Sequence, residues 1–169
     1  PMVTVKTGSY PHSISAYLSE TLSNFGFGWW YAPGNSAWVP NPNYKHTDNQ
    51  NTSDPDRSLL KEYWRSNEAH ARKSYGVTFG WFHNYSKSRD YLLKDNALSN
   101  IRTDILMTVP IIDVLISPEE SLDACSKISS CTHITYKNSR HEIYLERDDI
   151  RDTWLKNITE WIKEKTINQ

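Results

Sequence analysis

The order of segments in residues 100–169 constrains the fold more than any other feature of the sequence. "TDILMTV" predicts a buried strand, and "SPEESLDACSKI" predicts a short helix with Ser117 as its cap. "THITYK" predicts a second strand, and "RDDIRDTWLKNITEWIKEK" predicts a long helix. Its predicted apolar face consists of Ile150, Trp154, Ile158 and Trp161 or Ile162. Strand, helix, strand, helix is the order typical of a parallel sheet. We therefore expect an α/β fold in this region.

Residues 1–99 show helical patterns and long loops but no clear strand. Helices are predicted in "PHSISAYLSETLSNFG", from Pro55 with Asp54 as the N-cap, and in "VTFGWFHNYSKSRDYLLK". A long loop rich in Gly, Pro and Asn separates the first two helices, and such loops inside compact proteins are often functional. The apolar residues at helical spacing in the first and third helices are Ile14, Tyr17, Leu18, Leu22, Phe25, Val77, Trp81, Tyr85 and Leu92.

Two predicted strands are too few for a stable parallel sheet. Such a sheet has two open edges and needs cover on both faces. We therefore expect further strands from a segment that precedes residue 1. The sequence begins with Pro1 rather than Met, so we expect it to start after processing or within a longer protein.

Charge and composition argue against several classes of protein. The formal net charge is -1 and no basic stripe is present, so we expect no nucleic-acid partner. The most apolar stretch, residues 105–116, contains Pro110 and Asp113 and is too short to cross a bilayer. The chain has seven Trp, ten Tyr and four Phe, and aromatic side chains are common in cores and in ligand grooves.

The two cysteines, Cys125 and Cys131, leave two possibilities open. Six helical residues would separate them by about 9 Å along the axis, which is too far for a disulfide. If the helix ends near Ser129 and Ser130, the chain folds back and a disulfide becomes feasible. A disulfide would indicate an oxidising compartment, and the alternative is two buried or unreactive thiols.

Asp113 follows the first predicted strand and His141 follows the second. The carboxyl ends of parallel strands meet at one edge of a sheet, where open α/β sheets bind ligands. A carboxylate there can hold an imidazole in one tautomer, and the imidazole can then act as a general base. A zinc site is disfavoured, because no second His stands four residues on and His133 lies eight residues before. The alternative is an Asp and a His that are solvated and uninvolved in catalysis.

Two segments resemble those that carry the triad acid and histidine in lysophospholipase- and monoacylglycerol-lipase-like α/β-hydrolases. "TDILMTVPIIDVLISPEESLDAC" matches the acid segment at Asp113, and "NSRHEIYLERDDIRDTWLKNITEWI" matches the closing segment at His141. "NTSDPDR" and "GVTFGW" resemble landmarks of the cap in bacterial lysophospholipases, and "PM" resembles the end of the strand that enters the cap. Three positions depart from the family: Asp104 replaces a proline, and Asn138-Ser139 replaces Gly-Ala.

The resemblance implies a partial α/β-hydrolase fold, with a helical cap or lid in residues 1–99 and the last two parallel strands with their helices in residues 100–169. It implies a serine ester hydrolase acting on monoacyl lipid esters, with Asp113 and His141 as catalytic residues and no metal or organic cofactor. Aromatic residues of the cap become candidates for substrate contact, with packing as the alternative role: Trp29, Trp30, Trp81, Phe82 and Tyr85.

No Gly-x-Ser-x-Gly occurs in the 169 residues, and in this family that motif and the oxyanion loop precede the cap. We therefore expect the chain to be inactive alone and to pair with an N-terminal half that carries the motif, or to self-associate. The alternative is a non-catalytic module that binds lipid or a protein partner through its aromatic cap. The expected location is the bacterial cytoplasm or membrane periphery, or outside the cytoplasm if Cys125 and Cys131 are bridged.

Overall fold

The computed structural model describes residues 5–7, 10–67, 76–94 and 96–167. Within these ranges, five α-helices span His12–Leu22 (α1), Pro55–Asn67 (α2), Phe79–Leu93 (α3), Pro118–Ser126 (α4) and Asp148–Ile167 (α5). Two strands span Ile105–Pro110 (β1) and Cys131–Tyr136 (β2). Short helical turns occupy Ser23–Phe27, His46–Asp48 and Ile143–Leu145.

The two strands lie side by side and run parallel, from the pair Ile105 and Cys131 to the pair Pro110 and Tyr136. The crossover between them contains α4, and α5 follows β2. The predicted order of strand, helix, strand and helix is therefore confirmed. β1 ends at Pro110, whose nitrogen carries no hydrogen for a further ladder bond.

Alternate side chains of β1 face two different helices. Met107 and Val109 are buried against Cys125 of α4. The hydroxyl of Thr108, between them in sequence, accepts a hydrogen bond of 3.2 Å from the indole nitrogen of Trp154 on α5. Because neighbouring residues of a strand point to opposite faces, α4 and α5 cover the two faces of the sheet.

The face predicted for α5 is partly confirmed. Ile150 is buried with Tyr136 and Ile143, and Trp154 packs against this cluster. Further along, Ile158 and Trp161 are half-buried, whereas Ile162 has 51% of its surface exposed. The covered stripe of α5 therefore continues through Trp161 and leaves Ile162 outside it.

A disulfide joins Cys125 and Cys131, whose Cα atoms lie 5.5 Å apart. The 9 Å separation would apply if the helix ran through both cysteines. α4 instead ends at Ser126, and the main chain turns back through Lys127. Of the two possibilities left open by the sequence, the structure therefore shows the disulfide. It fastens the end of α4 to the first residue of β2.

Helices α1 and α3 pack together. The ring of His12 lies 5.4 Å from that of Phe82 and 5.9 Å from that of Tyr85. Close main-chain approach occurs at Gly80, whose N–H donates to Gly28 O at 2.7 Å. A Cβ atom at Gly80 would lie 2.9 Å from that oxygen, so only glycine fits there.

The helices predicted around residues 12–22 and 79–93 are confirmed, but several of their apolar residues are not buried. On α1, Ile14, Tyr17 and Leu18 are exposed, and Ser19 is its buried residue. α3 starts one residue after Thr78, which caps it by accepting from Trp81 N, so Val77 lies outside the helix. Burial depends on which neighbours are present, and spacing along one helix does not reveal them. α3 buries Phe79, Phe82, Tyr85 and Ser86.

Other local predictions for residues 1–99 are confirmed where the structure describes them. α2 begins at Pro55, and Asp54 caps it by accepting from Arg57 N at 2.9 Å. Gly26, four residues after the end of α1, has a φ of 87°, in the left-handed region that glycine tolerates best. The boundary between residues 99 and 100 stays a prediction. Among the described residues, no helix has the length and apolarity to cross a bilayer.

Candidate active site

Asp113 lies in the turn after β1, and its buried carboxylate makes three hydrogen bonds. One oxygen, Oδ1, accepts from the main-chain N–H groups of Leu115 at 2.7 Å and Ile116 at 3.1 Å. The other oxygen, Oδ2, lies 2.8 Å from Nδ1 of His141. The two main-chain donors fix the plane of the carboxylate and leave Oδ2 directed at the imidazole.

His141 lies in the loop after β2, and hydrogen bonds join this loop to the one that holds Asp113. Ile111 N donates to Tyr136 O at 3.1 Å, and Ile112 N donates to Ser139 O at 3.3 Å. These bonds extend the pairing of the two strands into the loops that follow them. The expected approach of Asp113 and His141 at one edge of the sheet is therefore confirmed.

The Asp113 carboxylate determines which nitrogen of His141 carries the proton. An ionised carboxylate only accepts hydrogen bonds, so Nδ1 is the donor and neutral His141 has an unprotonated Nε2. No described residue forms a hydrogen bond with Nε2, and 31% of the His141 side chain is exposed. An oriented imidazole with a free acceptor nitrogen is the arrangement that a general base requires.

A cavity of about 410 Å³ adjoins the pair. Asp113 and His141 line it together with residues of β1 and with Ile116, Pro118 and Ser121 around the start of α4. A reacting group that occupied this cavity would lie beside the imidazole. The position at the carboxyl ends of the strands matches the place where α/β sheets bind ligands.

The five aromatic residues predicted to contact substrate lie elsewhere in the described structure. Trp29 and Trp30 are exposed by 74% and 43%, and their rings meet edge to face. Trp81 is exposed by 41% and stacks on Tyr85, while Phe82 and Tyr85 are buried. None of the five is among the residues that line the cavity beside His141. Substrate contact by these residues stays a prediction.

Phe82 and Tyr85 also have packing roles. The hydroxyl of Tyr85 accepts a hydrogen bond of 2.7 Å from Val5 N, and both rings contact His12. Phe82 also lines an apolar groove of about 510 Å³ between α1 and the start of α3. These contacts fit the packing alternative for Tyr85 and leave one face of Phe82 available to the groove.

In the described part of the chain, no three His, Cys, Asp or Glu side chains lie close enough together to hold a metal ion. Nδ1 of His141 is already directed at Asp113, so only Nε2 remains for any other partner. His133, the other histidine considered from the sequence, is exposed on β2.

Sequence reasoning missed the groups that hold the main chain around the pair. Lys6 Nζ donates to the main-chain oxygen of Asp113 at 2.7 Å. Glu146 is fully buried and accepts from Arg140 N and from Ser53. The charge pattern gives no signal for this burial, because exposed Arg147 follows Glu146 directly in the sequence.

No protein-family model and no curated protein sequence matches the chain. Solved structures do match it. A soluble variant of monoglyceride lipase from Saccharomyces cerevisiae, in complex with a substrate analogue, has a TM-score of 0.64 and 16% identity. The match covers 97% of this chain and 53% of that one. The monoacylglycerol lipase of Paleococcus ferrophilus has a TM-score of 0.66 and 16% identity, over 95% of this chain and 55% of that one.

These similarities concern the fold. The chain spans about half the length of the lipase structures it matches. Its helices and its two-stranded parallel sheet are those of a partial α/β fold. In architecture, the chain is therefore similar to about half of an α/β-hydrolase lipase.

Proposed function

We propose that this chain supplies the acid and the base of a serine ester hydrolase. The observation that carries the proposal is the 2.8 Å hydrogen bond between His141 Nδ1 and Asp113 Oδ2, formed where two adjacent parallel strands end. The similarity of the fold to lipases supports the same reaction class. The nucleophile would come from a segment carrying Gly-x-Ser-x-Gly, which this sequence does not contain.

In the proposed reaction, Nε2 of His141 takes the proton of the serine hydroxyl as the oxygen attacks the ester carbonyl. Asp113 holds the ring in the required tautomer and stabilises the imidazolium that forms. The imidazolium then returns the proton to the departing alcohol, which leaves an acyl-enzyme. Water activated by the same Nε2 hydrolyses the acyl-enzyme and regenerates the serine. The oxyanion donors would lie on the segment that carries the serine.

We propose monoacyl lipid esters as the substrates, of the lysophospholipid or monoacylglycerol type. Both solved relatives named above are lipases of monoacylglycerols. The apolar groove between α1 and α3 has the size for an acyl chain, at about 510 Å³, and is lined by Ile14, Leu18 and Phe79. Lys6 lines one side of this groove and also bonds to Asp113, so the groove passes near the catalytic pair.

The proposal also includes a partner. Both faces of the sheet are covered by helices, but the described sheet has only two strands. A half that carries the serine elbow, or a second copy of this chain, would pair with the open edges. Size-exclusion chromatography is the test, and a folded monomer of 169 residues with a cooperative thermal transition would count against a partner.

The experiment for the function compares this chain alone with the chain joined to a nucleophile-bearing half. Intact-mass measurement of material from the natural source first shows whether such a segment is present. We expect the joined protein to hydrolyse monoacylglycerol and lysophospholipid esters and the chain alone to remain at background. Hydrolysis by the chain alone, or none by the joined protein, would contradict the proposal.

A second candidate is a non-catalytic module that binds lipid or a protein partner. Its support is the set of aromatic side chains exposed in the cap, among them Phe25 at 75% and Trp29 at 74%. Vesicle binding by a joined protein that lacks esterase activity would favour this candidate. The disulfide between Cys125 and Cys131 further leads us to propose an oxidising location, outside the cytoplasm.

A further inference from the structure

Glu146 has an unusual environment for a charged residue. Its exposed fraction is 0%, and among the described residues it is the largest of the side chains that are fully buried. A buried carboxylate is costly unless several donors stabilise its charge. The identity of those donors therefore shows what the residue holds together.

The donors to Glu146 come from two distant parts of the chain. Ser53, in the loop before α2, donates its main-chain N–H at 3.1 Å and its hydroxyl at 2.5 Å. Arg140, the residue directly before His141, donates its main-chain N–H to Oε1 at 2.7 Å. One carboxylate thus joins the loop before α2 to the loop that carries the histidine, through charge-assisted hydrogen bonds.

Further bonds join the same two loops on the other side of His141. Glu142 N donates to Asn51 O at 2.8 Å, and the Thr52 hydroxyl donates to Leu145 O at 2.6 Å. The side chain of Glu142 forms an ion pair of 2.5 Å with Lys61 of α2. We call this set of bonds between residues 49–53 and residues 140–146 the loop junction. The main-chain N–H groups immediately before and after His141 both donate within it.

The guanidinium groups of Arg140 and Arg57 add further hydrogen bonds to the loop junction. Arg140 donates to the main-chain oxygens of Asn49 and Thr52. Arg57, in the first turn of α2, donates to the main-chain oxygen of Glu146. These bonds lie outside the pair of Asp113 and His141, and none of them contacts the cavity beside it.

We propose that Glu146 is a positioning residue, which fixes the main chain of His141 to the loop of residues 49–53 and so holds the imidazole in place for proton transfer. This inference rests on the proposed function for its catalytic consequence. The Asp113 carboxylate orients the ring, whereas Glu146 fixes the main chain from which the ring extends. The loop before α2 thereby becomes part of the apparatus that places the base.

The Glu146→Gln variant tests this role at nearly constant size. Oε1 accepts from Arg140 N–H and Ser53 N–H, and Oε2 accepts from Ser53 N–H and its hydroxyl. In glutamine the NH₂ group cannot accept from Ser53 N–H, and loss of the negative charge weakens the bonds that remain. Glu160→Gln is the matched control, since Glu160 is exposed on α5 and pairs with Lys156 at 3.9 Å.

The first readout needs no catalysis. Proton NMR of the whole protein follows exchange of the Nδ1 proton of His141 with solvent. We expect exchange at least about tenfold faster in Glu146→Gln and unchanged exchange in Glu160→Gln. Equal exchange in a folded Glu146→Gln protein would overturn the positioning role, whether or not the protein is an esterase.

The second readout is the split between kcat and KM in the esterase-active protein, below the unfolding temperature of every variant. Because a misplacement of about 1 Å can cost about 100-fold in rate, we expect kcat to fall about 10- to 100-fold in Glu146→Gln, with KM within about twofold. Ser53→Ala, which retains Glu146 and loses one donor, should lower kcat about 3- to 10-fold. If Glu146→Gln does not fold, the kcat of Ser53→Ala decides whether Glu146 positions His141.

The outcomes separate the two claims. If His141→Ala abolishes turnover while Glu146→Gln or Ser53→Ala keeps the wild-type kcat, the positioning role is overturned and the proposed function stands. If His141→Ala keeps full turnover, the proposed function is wrong, and the exchange of the Nδ1 proton alone decides whether Glu146 positions His141.

Discussion

Replacement of Asp113 by asparagine separates the orientation of His141 from the fold around it. Oδ1 accepts from Leu115 N and Ile116 N, so the carbonyl oxygen of an asparagine will take this position and keep both bonds. The amide NH₂ then faces Nδ1 of His141 at about the 2.8 Å now held by Oδ2. Because NH₂ only donates, Nδ1 must become the acceptor, and the proton moves to Nε2. The nitrogen that should take the proton of serine is then already protonated.

The expected loss of kcat follows from the tautomer of His141, which in the variant cannot accept the proton at Nε2. We expect Asp113→Asn to lower kcat by about 10³- to 10⁴-fold, which corresponds to about 4 to 5.5 kcal/mol in the barrier. The free energy of unfolding should fall by only about 1.5 to 3 kcal/mol, the range for a hydrogen bond to a charged group. KM should change little, since Asp113 contacts His141 and main-chain groups rather than the apolar groove.

The assay is steady-state hydrolysis of a monoacyl ester by the joined protein, together with urea denaturation of each variant. Asp123→Asn is the matched control, because Asp123 is exposed on α4 and pairs with Lys127 at 2.6 Å. Its kcat should equal that of the wild type. A folded Asp113→Asn protein with a kcat within about tenfold of the wild type would refute the argument from the tautomer.

Three further predictions concern stability. Replacing both Cys125 and Cys131 by serine should lower the free energy of unfolding by about 2 to 3 kcal/mol in urea, and no change would mean that the disulfide does not form. Burial, with a smaller effect of the Arg89 charge, lowers the pKa of His12 from 6.5, so stability should decline as the pH falls below about 6.5, because the unfolded chain binds the proton first. His12→Phe should show a smaller decline in thermal melts at pH 7.5 and 5.5. Phe82→Ala should lower the free energy of unfolding by about 3 to 5 kcal/mol, whereas Trp29→Ala should change it by no more than about 0.5 kcal/mol. Trp29→Ala should raise KM only if Trp29 contacts substrate.

The parallel sheet and the meeting of Asp113 with His141 could be predicted because local signals determine both. Strand and helix segments alternate, and the carboxyl ends of parallel strands share one edge of the sheet. A residue placed just after each strand must therefore lie at that edge. The capping residues Asp54 and Ser117 were predictable for the same reason, since a cap acts within three residues of its own position.

The buried faces of α1 and α3 could not be predicted, because they depend on neighbours far away in the sequence. Ile14 and Leu18 have helical spacing but are exposed, while Ser19 is buried. Glu146 shows the same limit for a polar residue. Its donors Ser53 and Arg140 lie in separate loops, and nothing in the local charge pattern indicates that they converge on it.

The central claim is that His141 is the base of an ester hydrolase, and one kinetic comparison tests it most directly. The turnover of a monoacylglycerol ester is measured for wild type, His141→Ala and His133→Ala in the joined protein. His133 is exposed on β2 and serves as the control for loss of an imidazole. We predict that His141→Ala lowers kcat by several orders of magnitude while His133→Ala does not change it. Near-equal turnover of wild type and His141→Ala would contradict the claim and leave the lipid-binding module as the better account.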